Sequence, residues 1–528
     1  MKVTRHSPAS EKIALFRSLF RGREDVYPRR FESRRTGKSG YQPACGNEWI
    51  RGVCEKPRIK CGECTRQAFL AITDDTVRWH LSGHDDQDVP FVMGVYPMLL
   101  DENCHFLAAD FAGEQWQADA MAYLDAARSL GLSAALERSR SGNGGHVWFF
   151  FERAIPAGLA RNMGAHILTL AMETRPEIGL CSYDRLFPSQ DTLPAGGFGN
   201  LIALPLQKAP RERGNSVFVD DEFKPYHDQW AYLSGLNRLT AGQTKDVVRE
   251  AEVKGGITGV KLWLADDEAD EPWTMPPSRR RRDSPLIGSL PKQLNIILSD
   301  QVYISKESLP PSLRNRMVRL AAFQNPDFYK AEAMRLSTYG KPRIICCAED
   351  HPKHISVPRG CLEELQDILV ALKIKPVIYD ERIDGERLDV SFRGKLRPEQ
   401  KLAAEALAAK DTGVLAATTA FGKTVIGAWL IARRGVNTLI LVNRRQLLEQ
   451  WIERLSTFLE IPKKEIGRIG GGPRRPNGKL DVALVQSLVR KGTVNDCVAN
   501  YGFLLWMNVT TFHPIASNYW PKGSKQGT

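Results

Sequence analysis

Short apolar runs separated by polar turns fill most of this chain, and their spacing predicts its elements. In the first half, His105 to Ala109 reads as a strand that ends in Asp110. A second strand opens at His146 and runs through "VWFFF", and a third covers Leu201 to Leu204. In the second half, Val414 to Ala416 reads as a short strand and Val425 to Ile431 as a helix with its apolar residues on one side. Leu439 to Val442 follows as a buried strand. Leu447, Leu448, Trp451, Ile452 and Leu455 then recur at helical spacing, and "LDVALVQSL" gives a further strand. Near the C-terminus, "NYGFLLWMNVTTF" reads as a buried strand through Tyr501, Phe503, Leu504, Leu505, Trp506 and Val509. The pattern lapses in "DEPWTMPPSRRRRDSP", Asp270 to Pro285. Its prolines and the run Arg279 to Arg282, without apolar periodicity, predict a linker rather than a phosphate contact.

Composition narrows this picture. A chain of 528 residues exceeds the usual single core and implies two to four domains. A formal net charge of +12 points to a polyanionic partner. The longest apolar runs fall short of the roughly 20 residues that cross a bilayer, and the N-terminus lacks a secretory signal. A soluble, cytoplasmic protein with no membrane partner is therefore expected. Six of the ten cysteines are scattered, as reduced thiols in a cytosol would be.

The other four, Cys45, Cys54, Cys61 and Cys64, crowd into "CGNEWIRGVCEKPRIKCGEC". The Cys61-x-x-Cys64 knuckle supplies two soft ligands from one turn, and the looser pair completes a tetrahedral set for structural zinc. Four thiolates leave no open position for chemistry. The alternative is four unrelated thiols. Lys56, Arg58 and Lys60 lie between the ligands, where they could touch nucleic acid.

Three stretches in the first half place polar residues at the mouths of buried strands: "CHFLAADFAGEQW" with Asp110, "ERSRSGNGGHVWFFFE" with Ser141, Gly142, Gly144, Gly145 and His146, and "SYDRLFPSQDTLPAGGFGNLIALPLQK" with Asp191. Acids in such places can hold divalent metal against a triphosphate, and glycines admit phosphate to backbone N–H groups. Singly, each has a structural reading. Together they resemble the archaeo-eukaryotic primase superfamily, and specifically the primase module of TOTE conflict systems, over roughly residues 14–239. The resemblance implies an RRM-like catalytic half. It also implies Asp110 and Asp191 as catalytic Mg or Mn ligands, His146 as a phosphate contact, the Ser141–Gly145 turn as a nucleotide-binding loop, and Asp184 as the other candidate third acid. The family's first motif has a second acid at the position of Ala112. Two-metal chemistry with one carboxylate missing should be slower by orders of magnitude, and Glu114 is displaced past the expected strand end.

From Arg397, "RPEQKLAAEALAAKDTGVLAATTAFGKTVIGAWLIARRG" sets strand, loop and helix in the order of a phosphate-binding loop. Lys423 would reach the β/γ-phosphates of ATP and Thr424 would ligate Mg, with Thr419 and Gly422 in the loop; Ala417 replaces the glycine of the strict pattern. The order resembles the first, RecA-like motor domain of a superfamily 2 helicase over roughly residues 354–503. The resemblance implies Arg397 and Gln400 as adenine readers. It also implies strand-tracking roles for Asn443, Arg444, Arg445, Gln486 and Ser487.

That family next requires a strand ending in Asp-Glu, whereas this chain has Trp506-Met507-Asn508. The codons TGG, ATG and AA-pyrimidine, read from each preceding third base, give Asp and Glu, and suitable third bases extend the series to Cys-His-His-Leu. The expectation is an off-frame tail over 504–528 and a truncated first motor domain. The expected organisation is multidomain α/β and α+β. It comprises an N-terminal helical segment (1–40), the zinc cluster (41–70), the primase-polymerase domain (71–260), the linker (261–290), an accessory domain (291–390) and a partial RecA-like domain (391–503). The expected work is primer synthesis on DNA, with dNTP or NTP and ATP as substrates, impaired in both engines. RNA and partner proteins of the conflict system are further candidate partners. The alternative is a non-catalytic nucleic-acid-binding remnant or inhibitor of such a system.

Overall fold

The long apolar run after His146 makes a strand of thirteen residues, and the rest of the N-terminal sheet is built around it. The computed structural model describes residues 2–32, 37–253, 257–260, 286, 288–472, 475–490 and 493–507. The chain divides into two units. One comprises residues 1–289 and 310–346, the other residues 290–309 and 347–528.

In the first unit, β1 (Asn103–Ala112), α1 (Trp116–Ser129), β2 (Ala135–Arg138), β3 (Gly144–Pro156), α2 (Ala157–Thr174), β4 (Leu186–Phe187) and β5 (Val217–Phe218) follow in sequence. The strands form one antiparallel sheet in the order β4-β1-β3-β2-β5. Side chains alternate between faces. Leu107 and Phe111 of β1 face the helices: a Cβ on Gly164 of α2 would come within 2.6 Å of Leu107, and Phe111 lies 5.3 Å from Tyr123 of α1. The opposite face carries Phe106, Ala108 and Asp110. Phe106, Trp148 and Phe150 there are covered by Phe20, which follows the helix Ala9–Leu19. The expected N-terminal helical segment thus holds one helix and then a strand, Pro28–Glu32, paired with Ser39–Pro43. The expected strand at Leu201 to Leu204 shrinks to Ile202–Ala203, paired with Gly94–Val95.

Residues 310–346 carry α3 (Pro311–Leu320) and α4 (Pro326–Ala333), and their Ala322 and Ile344 join the core of this first unit. The stretch expected as one accessory domain, 291–390, is therefore shared between two bodies. Its remaining strands, 293–298, 302–305, 349–350, 354–357 and 375–380, form a five-stranded sheet in the second unit. The linker expected at 261–290 lies almost wholly outside the described residues.

The second unit also holds α5 (Pro398–Ala408), α6 (Lys423–Arg434), β6 (Thr438–Val442), α7 (Arg445–Leu459), β7 (Gly467–Ile469), β8 (Leu480–Leu484) and β9 (Phe503–Trp506). The four strands are parallel, in the order β7-β8-β6-β9. β6 is buried along its whole length, as a run without alternation implies. The expected strand Val414 to Ala416 joins no sheet among the described residues, and Val414 is 80 % exposed. Leu415 packs against the Ala404, Ile426 and Leu430 cluster without strand pairing.

Candidate active site

On the open end of the N-terminal sheet, register sets the geometry. Asp110 of β1 stands opposite His146 of β3, which stands opposite Glu137 of β2, so the three side chains share one face. His146 Nε2 lies 3.6 Å from Asp110 Oδ1, and His146 Nδ1 lies 2.9 Å from Glu137 Oε2. Glu137 is almost fully buried and also accepts the Trp148 indole N–H at 2.9 Å. Burial pulls the imidazole pKa down, but the Glu137 charge and hydrogen bond, helped by Asp110, outweigh it and leave the pKa raised. The ring is oriented by a buried carboxylate that favours its protonated form, which suits it to an anionic group. Sequence reading missed Glu137; the signal was a single acid inside the otherwise apolar strand "ALER".

Ala112 is the last residue of β1, two positions beyond Asp110 and therefore on the same face, and it is exposed. A carboxylate there would stand beside that of Asp110. Glu114 lies past the strand end.

The turn between β2 and β3 explains its small residues internally. The Ser141 hydroxyl accepts the Asn143 N–H at 3.2 Å, and Gly142 has φ +81°. A Cβ on Gly144 would sit 2.6 Å from the Phe111 carbonyl, and one on Gly145 2.5 Å from the Trp116 ring. Strand pairing and helix packing thus require both glycines, whatever else the turn holds.

The structure does not bring Asp191 to this pair. Asp191 lies against the first turn of α2, 3.2 Å from where a Gly158 Cβ would be, and is clamped by the Arg161 guanidinium through two hydrogen bonds, one of 2.8 Å. Two residues on, the Leu193 N–H donates to Glu102 at the opposite end of β1. Eight residue steps along the strand direction, on the order of 25 Å, separate Glu102 from Asp110. Burial would raise the Asp191 pKa, but Arg161 overrides it and the pKa is lowered. In this arrangement Asp191 is an ion-pair partner of Arg161, apart from the Asp110–His146 face. Asp184 is closer to that face along the chain, since the next residue's carbonyl accepts the Asp110 N–H at 3.0 Å. Its own carboxylate accepts the Arg343 N–H, and burial raises its pKa.

Cys45, Cys54, Cys61 and Cys64 line one cavity of about 30 Å³, and none is in a disulfide. Burial raises the Cys61 thiol pKa, with Lys56 opposing. Among the described residues no three His, Cys, Asp or Glu side chains stand close enough to hold a metal as they are. The four thiols converge on one space, and their donor chemistry suits zinc, but the sulfurs would have to close in.

In the second unit, Gly422 caps α6 with φ +93°, and a Cβ there would meet Gln400 Nε2. Lys423 Nζ donates to the carbonyls of Ala417 and Thr418 at 2.7 and 2.8 Å. Arg397 and Gln400 both donate to the Phe421 carbonyl, at 2.8 and 2.7 Å. The structure thus brings Arg397, Gln400, Gly422 and Lys423 together at the N-terminus of α6, with Thr424 in its first turn and Thr419 in the loop before it. Gln486 donates to the Asn443 carbonyl at 3.1 Å, which joins the ends of β8 and β6. Arg444 and Arg445 at the start of α7 are exposed. β9 is anchored by Asn437, which accepts the Gly502 N–H at 2.9 Å and donates to the Asn500 carbonyl at 2.8 Å. Phe503 and Leu505 pack on one side of β9, and Leu504 and Trp506 on the other. β9 ends at Trp506 and is followed by Met507, the last described residue, without a carboxylate.

Two family descriptions match these regions. Residues 11–247 match the TOTE conflict system archaeo-eukaryotic primase domain. This part of the chain is a TOTE-type primase domain. The primase domain is followed at residues 393–501 by a match to the type III restriction enzyme res subunit, the helicase-type part of the chain. The DNA 3'-5' helicase XPB of Mycobacterium tuberculosis is 31% identical over 112 residues, 21% of this chain and 20% of that protein. A putative DNA 3'-5' helicase Rad25 of Haloarcula marismortui is 26% identical over 183 residues, 31% of this chain and 30% of that protein. The chain thus spans less than a third of either relative. The UvsW helicase of bacteriophage T4 is 17% identical, with a TM-score of 0.32 over 43% of this chain and 86% of that one. Among the described residues, no helix is long and apolar enough to cross a membrane.

Proposed function

We propose that this chain is a primase-polymerase joined to a helicase-type ATPase, acting on DNA within a conflict system, with both engines impaired. The carrying observation is the Asp110–His146–Glu137 row at the open sheet end, with Ala112 where the family's second acid stands. Divalent Mg or Mn, held by Asp110, would neutralise an incoming dNTP or NTP and activate the attacking 3'-hydroxyl. His146 donates to phosphate oxygens, Glu137 holds the ring and its charge in place, and the sheet face keeps both aligned. With Ala112 the carboxylate set is incomplete, and Asp191 does not complete it. Zinc on the four cysteines is proposed as a structural ion.

In the motor, the backbone N–H groups at the start of α6, with Lys423, would bind the phosphates of ATP. DNA as partner is supported by the printed activities of the two helicase relatives; RNA and system proteins are further candidates. The test is primer extension on a DNA primer–template with Mg or Mn. The unaltered chain is expected near background and Ala112→Asp well above it. Efficient extension by the unaltered chain would show that another acid serves and that the Asp110 assignment is incomplete. A second reading, a non-catalytic nucleic-acid-binding remnant or inhibitor, is favoured by the same Ala112. It predicts DNA binding with no extension by either chain.

A further inference from the structure

The primase match ends at residue 247, yet the loop from Asp184 to Ala195 is held along its length by residues 332–343. The Arg343 N–H donates to Asp184 Oδ1 at 2.9 Å, and Arg343 Nη2 to the Ser189 carbonyl at 2.5 Å. Gln190 Nε2 donates to Thr338 at 2.5 Å. The Asp191 N–H donates to Glu332 Oε1 at 2.8 Å, the Thr192 hydroxyl to the Glu332 carbonyl at 3.1 Å, and the Ala195 N–H to the Arg335 carbonyl at 3.0 Å. These bonds serve a loop that begins beside Asp110: the Arg185 carbonyl takes the Asp110 N–H, and β4 pairs with β1 at Ala108 and Ala109.

The contact is built rather than incidental. Arg343 is 1% exposed, with its guanidinium 4.3 Å from the Phe328 ring centroid and 3.6 Å from Glu332. Of its side-chain nitrogens, Nη2 alone has a hydrogen-bond acceptor among the described residues, the Ser189 carbonyl of the primase loop, while Nε and Nη1 are buried without one. Further along, Arg319 donates to the Tyr183 hydroxyl at 3.0 Å, Asn315 to Glu173 at 2.8 Å, and Arg314 pairs with Glu177 at 2.7 Å.

We propose that residues 310–346 are a working part of the primase domain, in which Glu332 and Arg343 are positioning residues that hold the Asp184–Ala195 loop and thereby set β4 against Asp110. This rests on the primase reading for its catalytic consequence, but not for the positioning itself. The test uses the full chain carrying Ala112→Asp, with Glu332→Leu or Glu332→Gln added. Glutamine keeps an Oε1 acceptor for the Asp191 N–H; leucine does not. Hydrogen–deuterium exchange of the 184–195 peptide is expected to rise at least tenfold in Glu332→Leu and to stay within threefold of the parent in Glu332→Gln, with β3 and α2 unchanged. Primer extension by Glu332→Leu is expected to lose at least tenfold in kcat with KM for dNTP little altered, and glutamine to restore most of it. Unchanged exchange in Glu332→Leu overturns the positioning. Faster exchange with undiminished kcat overturns its catalytic consequence. If the Ala112→Asp parent extends no primer, the proposed function fails, while the exchange measurement still decides the positioning.

Discussion

Asp110, Ala112, Glu137, His146 and Gly145 show how far single residues could be read. The family's first motif put the missing second acid at residue 112, and the structure extends the expected strand to Ala112, which places that residue on the side of Asp110. Glu137 was not legible, because its role depends on cross-strand register with His146, fixed by the turn and not by either strand alone. Asp191 was misplaced for a related reason: sequence order cannot say that the chain runs back along β1 after β4. Because the folded pKa of His146 is raised above the roughly 6.5 of an unfolded chain, its stabilisation is fully present below that value and is lost as pH rises through the folded pKa. Unfolding measured from pH 6 to 9 should show His146→Gln least stable relative to the parent at pH 6, with the gap narrowing toward pH 9. A gap that widens with pH would contradict the raised pKa. Gly145→Ala should cost about 1–3 kcal/mol, because its methyl meets the Trp116 ring and the Glu137 carbonyl; denaturant unfolding reads this directly.

Among elements, those with strong periodicity were legible and those that depend on neighbours were not. α7 and β6 appear where the apolar pattern puts them, whereas Val414 to Ala416 lacks a partner among the described residues. The loop before α6 is nevertheless assembled, with Lys423 turned onto its own carbonyls. ATP should therefore bind without turnover, since the described end of β9 offers no carboxylate to activate water. Binding by equilibrium dialysis should weaken at least tenfold in Lys423→Ala, and steady-state hydrolysis should be at background with or without DNA. DNA-stimulated hydrolysis abolished by Lys423→Ala would contradict this. Sequencing the gene across the codons for residues 500–512 tests the neighbouring-frame Asp-Glu. The cysteine cluster was legible as a cluster, but its closure is not. Metal analysis should find about one zinc per chain, lost in a Cys61→Ser/Cys64→Ser variant, and a zinc-free parent would remove the ion from the account.

At the scale of the whole molecule, the two family regions were legible from their motifs, but the bodies are not consecutive stretches of chain. Residues 310–346 return to the first unit after the chain has already entered the second. No motif marks that return; it rests on scattered polar contacts, those of Arg314, Asn315, Arg319, Glu332 and Arg343 among them, and on a few apolar ones, none with a local signature. A specific protease site inserted at residue 270 should therefore leave the two fragments co-eluting under native conditions and parting only in denaturant; separation on native gel filtration would contradict it. The same arrangement bears on synthesis. The Asp184–Ala195 loop leaves the ribosome long before Glu332 and Arg343 exist to hold it. At roughly 5–20 residues per second, on the order of 10 s pass between the synthesis of that loop and that of the residues that hold it.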